Sequence, residues 1–199
     1  PVTIKCRIGV DNVDSYEALC AFIDTNRQAD CNVFIVHARK AWLKGLSPKQ
    51  NREIPPLDYP AVYRLKRDFP QQRFILNGGI QTIDDCKTHL QHVDGVMIGR
   101  EAYHNPMLLA GVDHQLFGDN NRVNAAKQVA LAYADYMNKE LASGEKLHHM
   151  TRHALGLFAG QPGARAYRRH ISEFANGRDA GIAVYHDAID CVASSREPI

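Results

Sequence analysis

Along the first hundred residues, short apolar runs alternate with longer stretches in which apolar positions recur at helical spacing. The runs are Val2 to Arg7, Asn32 to His37, Arg73 to Asn77 and Gly95 to Ile98. Each is rich in Val, Ile, Phe or Leu and ends in glycine or a polar residue, which predicts four strands. Between them, "DSYEALCAFIDTNRQ" carries Tyr16, Leu19, Cys20 and Ile23 on one helical face, with Asp14 and Glu17 in capping-box spacing. "DYPAVYRLKRDF" offers Asp58 as a cap and Pro60 in the first turn, and "TIDDCKTHL" sets Thr82 three residues before Asp85. Strands that alternate with helices in this way predict a parallel sheet.

Two features break the rhythm. Residues 38–57, "ARKAWLKGLSPKQNREIPPL", have little helical or strand period, and a connection that long inside a compact unit points to function. After "LFGDNN" the pattern becomes wholly helical: "RVNAAKQVALAYADYMNKELAS", "HHMTRHALGLFAG", "GARAYRRHISEFA" and "IAVYHDAIDCVA" are separated by "GEK", "QPG" and "NGRD". The expected division is a βα layer over 1–118 and a helical domain over 119–199.

Strand alternation then sorts side chains by face. Lys5 shares a face with Thr3 and Arg7, while Val2, Ile4 and Cys6 take the other; His37 lies with Val33 and Ile35, and Asn77 with Ile75. Successive strands thus end in Lys5, His37, Asn77-Gly78-Gly79 and Gly99-Arg100. The carboxyl ends of parallel strands converge on one site in barrels and in open sheets alike. Glycine amides followed by a fixed cation suit a phosphate dianion. Lys5 and His37 remain for the other end of the ligand, where a cation beside an electron-accepting ring stabilises its reduced form. Read singly, Lys5 is equally a solvated strand end, Asn77 a turn former and Arg100 a helix-surface charge.

Composition narrows the field. With 45% hydrophobic and 23% charged residues the chain is an ordinary globular protein, and disorder is excluded. A net charge of +2 leaves no global basic character, so any nucleic-acid footprint is local. No stretch reaches the ~20 apolar residues of a membrane span and no export signal opens the chain, so no membrane partner is expected. The five cysteines (Cys6, Cys20, Cys31, Cys86, Cys191) form no C-x-x-C pair and read as reduced thiols of a cytoplasmic protein. A first residue Pro1 that runs straight into a strand suggests a truncated chain.

The segments "PVTIKCRIGVD", "HARKAWLKGLSPKQNREIPPLDY", "LNGGIQT" and "DGVMIGREAYHNP", with "MTRHALGLFAGQPGARAYRR", resemble the second half of the tRNA-dihydrouridine synthases, and "HARKAWLKGLSP" is similar to their A subfamily. The resemblance covers nearly the whole chain. It implies an α/β fold, the C-terminal half of a (β/α)8 TIM barrel followed by an all-helical domain. It also implies FMN reduced by NADPH, and hydride transfer to C6 of a D-loop uridine, at positions 20/20a, while a cysteine protonates C5. Lys5 and His37 would contact the isoalloxazine, and Asn77, Gly78, Gly79, Gly99 and Arg100 the FMN phosphate. Lys49 and Arg52 in "SPKQNR" and Arg165 and Arg168 in "GARAYRR" would contact tRNA. The resemblance places the catalytic cysteine in the missing first half, and none of the five cysteines matches it by position. The expectation is therefore a chain inactive alone that self-associates through open barrel edges, and a monomeric full-length protein.

Charge supports the RNA reading. From His37 through Arg52 there are five Arg or Lys residues and no acid, and from Met150 through Ile171 four Arg and no acid. Such runs fit either a phosphate backbone or a solvated face. Trp42 suits a base-stacking role or an anchor for its loop. His149 and His153 have helical i, i+4 spacing beside His148, yet the H-E-x-x-H glutamate and a third ligand are missing, so no metal site is expected. Two other readings stand beside this one: a phosphate-binding or Schiff-base barrel with Lys5 as nucleophile, and a non-catalytic RNA-binding module.

Overall fold

Phe34 and Val36 on one strand and Phe74 and Leu76 on its neighbour have no solvent exposure, whereas the residues between them are only half-buried. This alternation belongs to a sheet whose one face is fully covered. The computed structural model describes residues 2–120 and 125–193. Four strands, β1 (Ile4–Arg7), β2 (Val33–His37), β3 (Arg73–Asn77) and β4 (Gly95–Met97), pair in parallel in sequence order. Helices α1 (Tyr16–Gln28), α2 (Tyr59–Asp68) and α3 (Ile83–Leu90) connect them and bury Leu19, Ile23, Val62, Leu65, Ile83 and Cys86. Phe34 and Phe74 stack at 5.7 Å between ring centroids, and each buried Phe or Leu contributes about 1.5–3 kcal/mol by leaving water.

The helix starts follow local chemistry. Asp58 accepts from the Ala61 amide at 3.0 Å with Pro60 in the first turn, and Thr82 and Asp85 form a reciprocal capping box. The cap of α1 is Ser15, which accepts from the Ala18 amide at 3.1 Å, rather than Asp14. The Asp14 carboxylate is instead held by the Lys40 ammonium, a partner that spacing along the helix could not reveal.

The chain divides into two compact units, Pro1–Gly99 and Arg100–Ile199. In the second unit the described elements are helical: α4 (Arg100–His104), a 3-10 segment Pro106–Gly111, α5 (Val112–Phe117), α6 (Ala126–Ala142), α7 (Leu147–Thr151), α8 (Ala164–Phe174) and α9 (Ile182–Ala193). Ala126, Ala130 and Ala134 recur every four residues and share one buried face of α6 with Met137. Small side chains there let α6 approach α9, which also packs on α8. Tyr167 has no exposure, and its hydroxyl donates to the Ala154 carbonyl at 3.1 Å. Burial pushes the Tyr185 hydroxyl beside it up to about 12, so both phenols stay neutral. Gly118 ends α5 in the left-handed region (φ +69°), where glycine carries no Cβ penalty. The start of the helix expected from Arg122 falls on residues 122–124, outside the described residues. "HHMTRHALGLFAG" is not one helix: it ends at Thr151, and residues 152–160 turn. No helix among the described residues is long and apolar enough to cross a membrane.

Asp94 secures the amino ends of β3 and β4. Its carboxylate accepts from the Phe74 amide at 2.8 Å and from the Lys66 ammonium at 2.8 Å. Burial alone would raise its pKa, but the Lys66 and Phe74 hydrogen bonds outweigh that and hold it below the usual 3.8. A folded-state pKa below the unfolded one contributes stability above about pH 4 that is lost as pH falls through the lowered value. Asp94→Asn should therefore lower stability at pH 7 by about 1 kcal/mol, solvent screening keeping the figure small. Urea unfolding of both proteins should show the gap closing as pH is lowered toward 3.

Candidate cofactor and RNA site at the strand ends

Arg7, His37, Asn77 and Met97 are Cα partners across the four strands, and one row below them lie Lys5, Ile35, Ile75 and Gly95. Partners in a parallel ladder share a face, so both rows lie opposite the core row of Cys6, Val36, Leu76 and Val96. Alternation along each strand thus delivers the polar residues where the sequence places them. Lys5 donates its Nζ to Asn77 Oδ1 at 3.2 Å, and Asn77 donates Nδ2 to the Met97 carbonyl at 2.8 Å. These two bonds orient the amide and link β1, β3 and β4 across the uncovered face. Asn77 thus bonds within the chain through both its amide oxygen and its amide nitrogen, each of which keeps one further hydrogen-bonding position.

Gly78 and Gly79 shape the turn that follows. Both have positive φ, +115° and +72°, and both abut other side chains. A Cβ on Gly78 would come within 2.6 Å of His37 Cδ2, and one on Gly79 within 2.6 Å of Leu57 Cδ1. The His37 ring therefore rests directly on the Gly78 backbone, in space a side chain would fill. From behind, the Tyr59 hydroxyl donates to the Gly78 carbonyl at 3.0 Å and the Tyr59 ring packs on His89 at 4.4 Å. Burial raises the Tyr59 hydroxyl above its ordinary 10 and lowers the His89 imidazole below its ordinary 6.5, which keeps this support uncharged. The backbone around Gly99 is open, the nearest atom to a Cβ there being Asn77 Nδ2 at 3.9 Å. Arg100 opens α4.

Residues 38–57 form an ordered loop closed at its base, where the Asp58 amide donates to the Ala38 carbonyl at 2.8 Å. Arg7 Nη1 donates to the carbonyls of Lys40 (2.7 Å) and Asn51 (2.9 Å), and Arg39 Nη1 to those of Glu53 and Pro55. Trp42 and Asn51 exchange two bonds, at 2.8 and 2.7 Å, through the Trp42 backbone, so the loop is anchored by main chain while the indole remains 37% exposed. Burial and then the positive charges of Arg52 and Arg39 lower the pKa of Arg7, a sign that three guanidinium groups crowd one region. Lys49 precedes the 3-10 turn Gln50–Arg52 and Arg52 ends it, and both are exposed; Arg39 bonds within the loop, whereas Lys40 pairs with Asp14 ahead of α1. In the second unit Arg165 and Arg168 are exposed on α8, and Arg169 lies 4.0 Å from Glu173.

Arg7 and Tyr59 are the residues that reading the sequence passes over as site components. Parity already put Arg7 on the face of Lys5; nothing in the sequence marks Tyr59. The cysteines of the first unit stay off the polar rows. Cys6 lies in the core row, where burial pushes its thiol up to about 11 despite Lys5, and burial likewise raises Cys86. Cys31 is buried, and Cys20 and Cys191 lie within α1 and α9. His149 pairs with Glu145 at 3.2 Å and His153 with Tyr103 at 3.0 Å, so the two histidines diverge. No cluster of three potential metal ligands occurs among the described residues.

The model of the dihydrouridine synthase (Dus) family matches residues 1–193. Proteins named tRNA-dihydrouridine(20/20a) synthase are similar to the chain: that of Salmonella typhimurium is 55% identical over 98% of this chain and 59% of its own length. That of Escherichia coli K12 is 55% identical over 98% and 57%, and that of Vibrio cholerae 56% identical over 95% and 58%. The chain spans a little under three fifths of these relatives. A parallel βα sheet with a polar row at its strand ends, matched by one family model along almost its whole length, places the chain in the dihydrouridine synthase family.

Proposed function

We propose that this chain forms the flavin-holding and tRNA-holding part of a tRNA-dihydrouridine synthase of the A subfamily, which reduces a D-loop uridine, at position 20 or 20a, to 5,6-dihydrouridine in the cytoplasm. The observation that carries the reading is the polar row at the strand ends, with the Lys5 ammonium fixed by Asn77 and the His37 ring seated on Gly78. The architecture we assign is the C-terminal half of a (β/α)8 barrel over 1–118 and an all-helical tRNA-binding domain over 119–199.

The residues fit FMN in chemistry. Lys5 and His37 would face the isoalloxazine; Asn77 and the glycine backbones of Gly78, Gly79 and Gly99, with Arg100, would take its phosphate, and Asn77 would also hold Lys5 in place. FMN reduced by NADPH would supply the hydride for uridine C6. The matching proton for C5 is assigned to a cysteine of the intact protein outside this chain, because none of the five here shares the polar face. Lys5 would oppose the negative charge of a reduced ring, and the His37 imidazole is packed against the Gly78 backbone. Lys49 and Arg52 on the tethered loop, with Arg165 and Arg168 on α8, would meet tRNA phosphates. In the intact protein, a monomer in this reading, preceding strands would cover the free edge of β1 and the cleft of about 540 Å³ beside it, lined by Lys5, Val10, Val13 and Phe22 among others. The isolated chain would self-associate at that edge instead.

In the intact protein Arg100→Ala should weaken FMN retention about tenfold or more by removing a charge-assisted phosphate contact, while the 199-residue chain given FMN and NADPH should form no dihydrouridine in unmodified tRNA and should sediment as more than a monomer. Flavin occupancy unchanged in Arg100→Ala, or turnover by the short chain, would count against the assignment. Independently, Lys49→Ala and Arg165→Ala should each reduce the slope of log affinity for tRNA against log salt by about 0.7–0.9, with the flavin spectrum unaltered. Slopes equal to wild type would make these cations a solvated face only.

A further inference from the structure

The second unit contains a cleft of about 270 Å³ between the end of α4 and the turn that follows α7, lined by Tyr103, His104, Arg152, His153, Gly156 and Arg168 among others. Gly156 creates it: a Cβ there would lie 2.2 Å from the His104 carbonyl oxygen, so only glycine lets the turn lie directly against the end of α4. Within the cleft, Arg152 Nε donates to His153 Nε2 at 3.1 Å, and His153 Nδ1 lies 3.0 Å from the Tyr103 hydroxyl, the two rings edge to face. A guanidinium cannot accept a hydrogen bond, so Nε2 is the acceptor and the ring proton sits on Nδ1, donated to the Tyr103 oxygen. Tyr103 is thereby left with its own hydroxyl proton to donate outward. Arg152 is held by Nε, which leaves its terminal nitrogens as a planar fork for an incoming anion. Arg168 contributes a second positive charge from α8, and no acid lines the cleft.

We propose that this cleft binds one phosphodiester of the tRNA backbone, with Arg152 and Arg168 as its cations and His153 as the residue that positions Arg152. The inference rests on the tRNA-binding reading above and deepens it by naming a phosphate seat, and by making Arg152 and His153 part of it. The cleft is small, with Leu155 and Ala159 among its walls and the two arginines, the histidine and the phenol as its polar groups. It suits one phosphate of a chain that continues outside it.

The test is a salt titration of the intact protein's affinity for an unmodified tRNA transcript, read by fluorescence anisotropy. Arg152→Ala and Arg168→Ala should each weaken binding about three- to tenfold and reduce the salt slope by about 0.7–0.9, whereas Lys139→Ala on α6 should do neither. His153→Ala should cost about threefold with the slope retained, and nothing further in an Arg152→Ala background, because it acts through Arg152. Additive losses in that double variant would overturn the positioning role. Wild-type affinity and slope in Arg152→Ala and Arg168→Ala, beside weakened binding by Arg165→Ala, would overturn the cleft and leave the tRNA reading standing. Failure of the unsubstituted intact protein to bind tRNA would overturn both.

Discussion

The burial of Phe34, Val36, Phe74 and Leu76 on one face of the sheet is the constraint from which the strand-end chemistry follows. A strand has only two faces. Once the apolar set is removed from water against the helices, Lys5, Arg7, His37 and Asn77 must occupy the other, and parallel register brings the last three into one row. Slipping β2 by one residue would send His37 into the core and expose Val36. Hydrophobic burial and the placement of polar groups are therefore one event, and the cost of such a slip protects the site.

Two further devices turn that row into a defined surface. The close contact of Gly78 with His37 uses the absence of a side chain to hold an aromatic ring still, and Tyr59 supports the same turn from the opposite direction. Arg7 then connects strand to loop: by donating to two carbonyls, it links 38–57 to the carboxyl end of β1. Burial, and after it the nearby charges of Arg52 and Arg39, lower the Arg7 pKa, and an anionic ligand would relieve the like-charge part of that cost.

The second unit solves a different problem. Its alanine stripe and buried tyrosines pack helices closely, which leaves the arginines of α8 and of the turn after α7 on the surface. What distinguishes those arginines is their individual bonding: Arg169 has a carboxylate within reach, Arg152 is oriented by His153, and Arg168 lines the cleft. A charge run in sequence thus resolves into residues with separate tasks.

The order of elements, the parallel pairing, the caps at Asp58 and Thr82 and the sharing of one face by Lys5, His37 and Asn77 were all determined by sequence, because each depends on spacing of two, three or four residues within one segment. The family was legible too, through short runs of consecutive residues. What tertiary structure decided involves partners far apart in the chain. Asp14 yields its cap to Ser15 because Lys40 reaches it; Asn77 holds Lys5 across 72 positions; Arg7 is a tether because residues 40 and 51 come back to it. The helix expected through His153 stops at Thr151, and in the turn that follows Gly156 meets the end of α4, a contact that no local periodicity records. Spacing encodes which face a side chain takes, but only the folded chain decides what meets it there.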